Sequence, residues 1–94
     1  MSRPTHIRRN MMLRELDIKW LPNGKRMLFS VKFITKSGAL HFFPIACCRG
    51  LRYDMRDARQ RGIQPCDEYG NPIDHVYPAG IEAIIQYNQM EVIL

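Results

Sequence analysis

The side chains most able to do chemistry in this sequence are arginines. Arg49, Arg52, Arg56, Arg59 and Arg61 fall within CCRGLRYDMRDARQRG, from Cys47 to Gly62, with only Asp54 and Asp57 against them. A planar guanidinium can hold two phosphate oxygens at once, so such a cluster suits a polyanion. Taken as a helix advancing about 100° per residue, the stretch places Arg49, Arg52, Arg56 and Arg59 within a sector of about 80°. Leu51, Met55 and Ala58 recur at i, i+4 and i+7 as a separate packing stripe. Arg52 and Arg56 are like charges four apart, which costs a helix roughly a few tenths of a kcal/mol. Helix stability therefore does not account for the charged stripe, whereas Asp57 and Arg61 form an ordinary i,i+4 pair. Gly50 fits the N-cap of this helix, Gly62 the left-handed position after it, and Pro65 follows.

Other reactive types are present without a recognisable spacing. Cys47, Cys48 and Cys66 are odd in number and two are adjacent, so they are expected as reduced, partly buried thiols. His41, His75 and Asp74 supply partners for a cysteine nucleophile, but nothing orders them as a catalytic set. No paired ligands of the C-x₂₋₄-C kind exist for zinc. Nor is there a Gly-rich phosphate loop. No catalytic residue, metal ligand or cofactor is assigned, and the chain is expected to be non-enzymatic.

Composition bounds the setting of these residues. The 94 residues suffice for one domain with a modest core. The longest apolar runs are only a few residues, against about 20 for a membrane-spanning helix, so no membrane association is expected. Charges follow Met11-Met12-Leu13 at once, so no signal-peptide core is expected, and the cytoplasm is the expected compartment. Net charge is +5, but its distribution is uneven. Residues 1–62 hold all 14 Lys and Arg against four acids, a net +10, while residues 63–94 hold five acids and no Lys or Arg, a net −5. That asymmetry fits either a polyanion partner or a molecule that neutralises itself or its own copies.

Turns then position the elements. Asn23-Gly24 and Ser37-Gly38 are hairpin signals. Two-residue loops at both would pair Trp20 with Met27, Ile18 with Phe29 and Leu16 with Val31, then Phe33 with Phe42, Val31 with Pro44 and Phe29 with Ala46. All of these fall on one face of a three-stranded meander. The other face carries Glu15, Asp17 and Lys19, then Leu28, Ser30, Lys32 and Ile34, then His41, Phe43 and Ile45, with Glu15 opposite Lys32. Pro44 is tolerable there only at an edge or bend. Residues 1–10 form an expected flexible basic arm containing Arg3, Arg8 and Arg9, ahead of a single β-rich domain over residues 11–94. After the helix come a short strand at 63–66 and a loop at 67–74. A closing hairpin over 81–87 and 90–94 turns at Asn88-Gln89, with Ile85 opposite Val92; a short helix at 80–85 is the competing pattern.

The expected fold is mainly β with one helix, in the order β-β-β-α-β-β. That order resembles the five-stranded, partly open barrels of the OB or SH3-like type, and an open sheet with one covering helix fits it nearly as well. The leading functional expectation is contact with DNA or RNA: Arg49, Arg52, Arg56 and Arg59 on phosphates, Lys32 and Lys36 extending the charge, and His41 or Phe43 stacking on bases. The alternative is a protein-interaction or assembly module, binding a protein partner or forming a homo-oligomer, in which the outward Leu28, Ile34, Phe43 and Ile45 meet another chain.

Overall fold

Arg9 to Leu16 contains no Gly, Pro or β-branched residue, and Met12 and Leu16 stand four apart. These are helix-forming conditions. In the computed structural model, which describes residues 5–50 and 59–94, His6–Arg8 form strand β1 and Arg9–Leu16 form helix α1. Arg14 in the last turn complements the helix dipole. Met12 and Leu16 are fully buried, and Ile7 is buried in β1. The expected first strand of the meander does not form: Glu15 and Leu16 end α1 and only Trp20 keeps an isolated bridge, while residues 6–10 of the expected arm are structured. Leu16 reaches the core as foreseen, but from α1.

The remaining strands are β2 (Phe29–Ile34), β3 (Leu40–Arg49), β4 (Gln60–Pro65), β5 (Tyr77–Gly80), β6 (Ile84–Tyr87) and β7 (Met90–Ile93). They form one open seven-stranded sheet in the order β1-β7-β6-β2-β3-β4-β5. It is not a closed barrel, and it has two strands more than expected. All neighbours are antiparallel except β1 and β7. The inner face presents Phe29, Val31, Phe33, Ala46, Cys48, Ile63, Ala79, Ile84 and Tyr87 to α1, and this is the core. Full burial of each large side chain there stabilises by about 1.5–3 kcal/mol.

Both early turns depart from the two-residue form in the same way. Gly24 N–H donates to Leu21 O and Leu21 N–H to Lys25 O, while Gly38 N–H donates to Thr35 O and Thr35 N–H to Ala39 O. Each is a three-residue loop ending in a left-handed glycine, Gly24 at φ 83° and Gly38 at φ 89°. Pro22 and Lys36 take the first central position, where proline's fixed φ is an asset. The extra residue moves the register by one. Trp20 pairs with Arg26 rather than Met27. In β2–β3, Phe33 pairs with His41 and Val31 with Phe43. The expected Phe29–Ala46 pair nonetheless forms, because a bulge at Pro44-Ile45 opposite Ser30 restores the register. Proline, lacking an N–H, suits such a bulge.

The closing hairpin is strand rather than helix, although β6 begins only at Ile84 and residues 81–83 of the expected strand form a turn in which Ala83 N–H donates to Gly80 O. Tyr87 pairs with Met90 and Gln86 with Glu91, in the register that was counted from the turn. Asn88 (φ 49°) and Gln89 (φ 66°) both take left-handed conformations, a type I′ turn without glycine. Asn88 is held there, its N–H donating to Ser30 O and its Oδ1 accepting the Ser30 N–H.

The expected helix after Gly50 falls mostly on residues 51–58, outside the described residues. Its expected C-terminal end is visible and is not helical. Gln60–Pro65 is strand β4, and Gly62 lies inside it, paired with Arg49 and Pro78. Gly62 is required for close approach: a Cβ there would lie 2.2 Å from the Arg49 carbonyl oxygen. Arg61 is buried, and its Nε donates to Asp17 Oδ1 at 3.1 Å, tying β4 to the end of α1. Its partner among the described residues is Asp17, and the expected partner Asp57 lies outside them. A buried guanidinium requires such pairing. Among the described residues no helix is long and apolar enough to cross a membrane.

Candidate functional site

The arginine stripe does not assemble on one helix. Arg49 ends β3, and its Nε is buried without a hydrogen-bond partner among the described residues. Arg59 sits in a left-handed turn at φ 52° and binds Glu82, with Nε 2.7 Å from Oε1. That contact holds the Glu82 carboxyl below its ordinary range. Arg52 and Arg56 lie outside the described residues. Of the expected phosphate contacts, Arg59 is thus already engaged by an acid of the same chain.

His41 and Phe43 are carried by the register shift to the inner face. Phe43 lies 5.5 Å from Phe33 and 5.3 Å from Tyr77 between ring centroids, and His41 lies 5.6 Å from Phe33 and 5.1 Å from Tyr77. This half-buried aromatic cluster seals the edge of the core. Beside it Asp74 accepts from the His75 backbone N–H and the Tyr77 hydroxyl, and its Oδ1 lies 2.8 Å from His75 Nδ1. These hydrogen bonds lower the Asp74 carboxyl, and the same carboxylate raises the Tyr77 phenol. An aspartate orienting a histidine is half of a triad. Among the described residues no Ser or Cys is hydrogen-bonded to His75.

The thiols separate by face. Cys48 points into the core, while Cys47 and Cys66 are buried on the other side, their sulfurs 3.3 Å apart. Burial and the Cys47 contact push the Cys66 thiol up to about 12. Burial likewise raises Cys48. Raised in this way, Cys48 and Cys66 are poor nucleophiles. Among the described residues no three His, Cys, Asp or Glu are grouped to hold a metal. A groove of about 370 Å³ at the bulge is lined by one titratable side chain, Glu68.

What the structure does bring together is the outer face of the sheet. The strand registers give one row across five strands: His6 on β1, Glu91 on β7, Gln86 on β6, Lys32 on β2 and Phe42 on β3. The side chains confirm it. His6 Nε2 is 3.3 Å from Glu91 Oε2, and Lys32 Nζ lies 5.8 Å from the Phe42 ring centre. One step further along the strands lies a second row, Arg8 beside Ile93 and Ile34 beside Leu40. Ile34 is 41% exposed, Phe42 53% and Leu40 59%. No family model, curated protein or solved structure matches this chain. The outer face must therefore speak for itself.

Lys32 was expected on this face and is there, and Lys36 is exposed at the β2–β3 turn. Phe42, Leu40, Glu91, Gln86, His6 and Ile93 were not foreseen as site residues. The signal for Phe42 and Leu40 was the Thr35-Lys36-Ser37-Gly38 sequence. A glycine closing a three-residue loop, rather than ending a two-residue one, exchanges the two faces of β3.

Proposed function

We propose that this protein is a non-enzymatic docking module that binds a protein surface through the outer face of β7, β6, β2 and β3. The observation that carries the reading is the exposed apolar group Ile34, Leu40 and Phe42, set side by side on a rigid sheet. Isolated exposed apolar residues are ordinary, but a contiguous set with a polar border is characteristic of an interface. A nucleic-acid track fits this face less well. Its row has one lysine and one aromatic ring, with Glu91 two strands away to repel phosphate.

The second reading is single-strand DNA or RNA binding, favoured by the Lys32–Phe42 contact, by exposed Lys36 and by the net +10 of residues 1–62. Titration with single-stranded oligonucleotides across a salt series separates the two. Docking of protein predicts no specific complex, and the Lys32→Gln variant leaves the titration unchanged. A complex that weakens steeply with salt, and whose salt slope falls by about one unit in Lys32→Gln, overturns the docking reading.

A further inference from the structure

We infer that the surface docked on this face is the same face of a second copy of the chain, related by a two-fold axis running along β6 through Gln86. The inference rests on the docking reading and adds the partner and its orientation. Its basis is the order of side chains across the sheet. With Gln86 at the centre of the row, Glu91 and Lys32 stand one strand away on either side, and His6 and Phe42 two strands away.

A two-fold axis lying between two stacked sheets and parallel to their strands reverses the order across the sheet but preserves position along it. Lys32 of one copy then stands over Glu91 of the other, and the contact occurs twice. Phe42 stands over His6. The second row obeys the same operation, because β2 and β7 run in one direction, each being antiparallel to β6. Ile34 therefore meets Ile93, and Leu40 meets the stem of Arg8. Across the two rows, charge meets opposite charge at Lys32 and Glu91, and apolar meets apolar at Ile34 and Ile93. Shifting the axis by one strand loses this match: an axis along β2 or β7 places Lys32 or Glu91 on itself. Sheets with aligned strands pack face to face at about 10 Å, with side chains interdigitating. Such an isologous contact is the commonest route to a dimer.

The test is the association constant of the full chain, measured by sedimentation equilibrium over a dilution series, for the wild type, Lys32→Glu, Glu91→Lys and the double exchange. Each single reversal sets like charges opposite each other twice and is expected to weaken the dimer by at least about tenfold. The double exchange is expected to restore it. Both positions are on the solvent side of the sheet, and far-UV circular dichroism with a thermal melt checks that the variants fold. As a second measure, Gln86→Cys places a thiol on the axis and is expected to yield a covalent dimer with a short bis-maleimide linker, since the native thiols are buried and sheets about 10 Å apart hold the two sulfurs beyond direct disulfide reach. A dimer indifferent to both reversals, and not linked through Gln86→Cys, overturns the two-fold arrangement. A wild-type chain that stays monomeric at every concentration overturns the second copy as partner. In either case the docking reading stands or falls separately, on the oligonucleotide titration.

Discussion

Phe33 and Phe42 sit on neighbouring strands of one sheet, flanked by residues of similar type, yet they live in different solvents. Phe33 is fully buried among Val31, Phe43 and the residues beneath α1, and Phe42 is half open with only Lys32 over its ring. Nothing in the local sequence separates them; the register does. The inner face is closed by a helix that the chain supplies, and the outer face by nothing in the described residues at its β2–β3 end. Where β3 meets β4, however, the outer side is also closed, around Cys47, Cys66 and Gly62. Among the described residues the sheet thus has a sealed side, a sealed corner and an open field around Ile34, Leu40 and Phe42.

The largest expected effect breaks the sealed side. Phe33→Ala should cost about 3–5 kcal/mol in urea denaturation, since it removes a fully buried ring from a core that cannot collapse around it. The sealed corner comes next. Gly62→Ala should destabilise by about 1–3 kcal/mol, because the added methyl meets the Arg49 carbonyl, and backbone cannot swing aside as a side chain can. Strand separation there should also show as faster amide exchange in β3 and β4.

The same corner should respond to alkali. The Cys66 thiol is held protonated in the folded state up to about 12, whereas in the unfolded chain it ionises near its ordinary 9.0. Between these values the unfolded state has lost a proton that the native state keeps, so stability falls as pH rises from 9 to 12. Cys66→Ala should flatten that limb of a stability-against-pH curve. Burial and Glu15 raise the Tyr87 phenol in the same direction, leaving a residual alkaline loss in the variant. At neutral pH, Tyr87→Phe should cost about 0.5–1.5 kcal/mol through the lost hydroxyl contact with Glu15 at 3.1 Å.

How much of this was legible follows from which signals are local. The register of the β6–β7 hairpin is legible because its turn has two residues and no competing bulge, whereas the start of β6 at Ile84 is not. The core positions Phe29, Val31, Phe33 and Ala46 were readable from alternation, and Phe29–Ala46 survives because the Pro44 bulge corrects the shift made at Gly38. His41 and Phe43 were not, since one residue in a turn moves every side chain between turn and bulge to the other face. Arg9–Leu16 was misread because its helix periodicity is short and the counting of pairs from Asn23-Gly24 ran through it. Nor was the parallel pairing of β1 with β7 visible, as it joins the two ends of the chain. Of the arginine stripe, Arg49 and Arg59 belong to a strand end and a turn, while Arg52 and Arg56 lie outside the described residues.

The smallest expected effect is the one that sharpens the comparison most. Phe42→Ser should leave the monomer's stability within about 0.5 kcal/mol of wild type, because the ring lies outside the core and Lys32 can return to water. Measured beside Phe33→Ala, it contrasts the same residue type on adjacent strands, differing only in face. If Phe42→Ser instead destabilises the isolated chain by an amount approaching that of Phe33→Ala, the outer field is covered from within, and no surface is left there to dock. If stability is kept while association is lost, the ring contributes to contact between molecules rather than to the fold. That separation is what distinguishes an interface from a core, and on this sheet the two lie one residue of register apart.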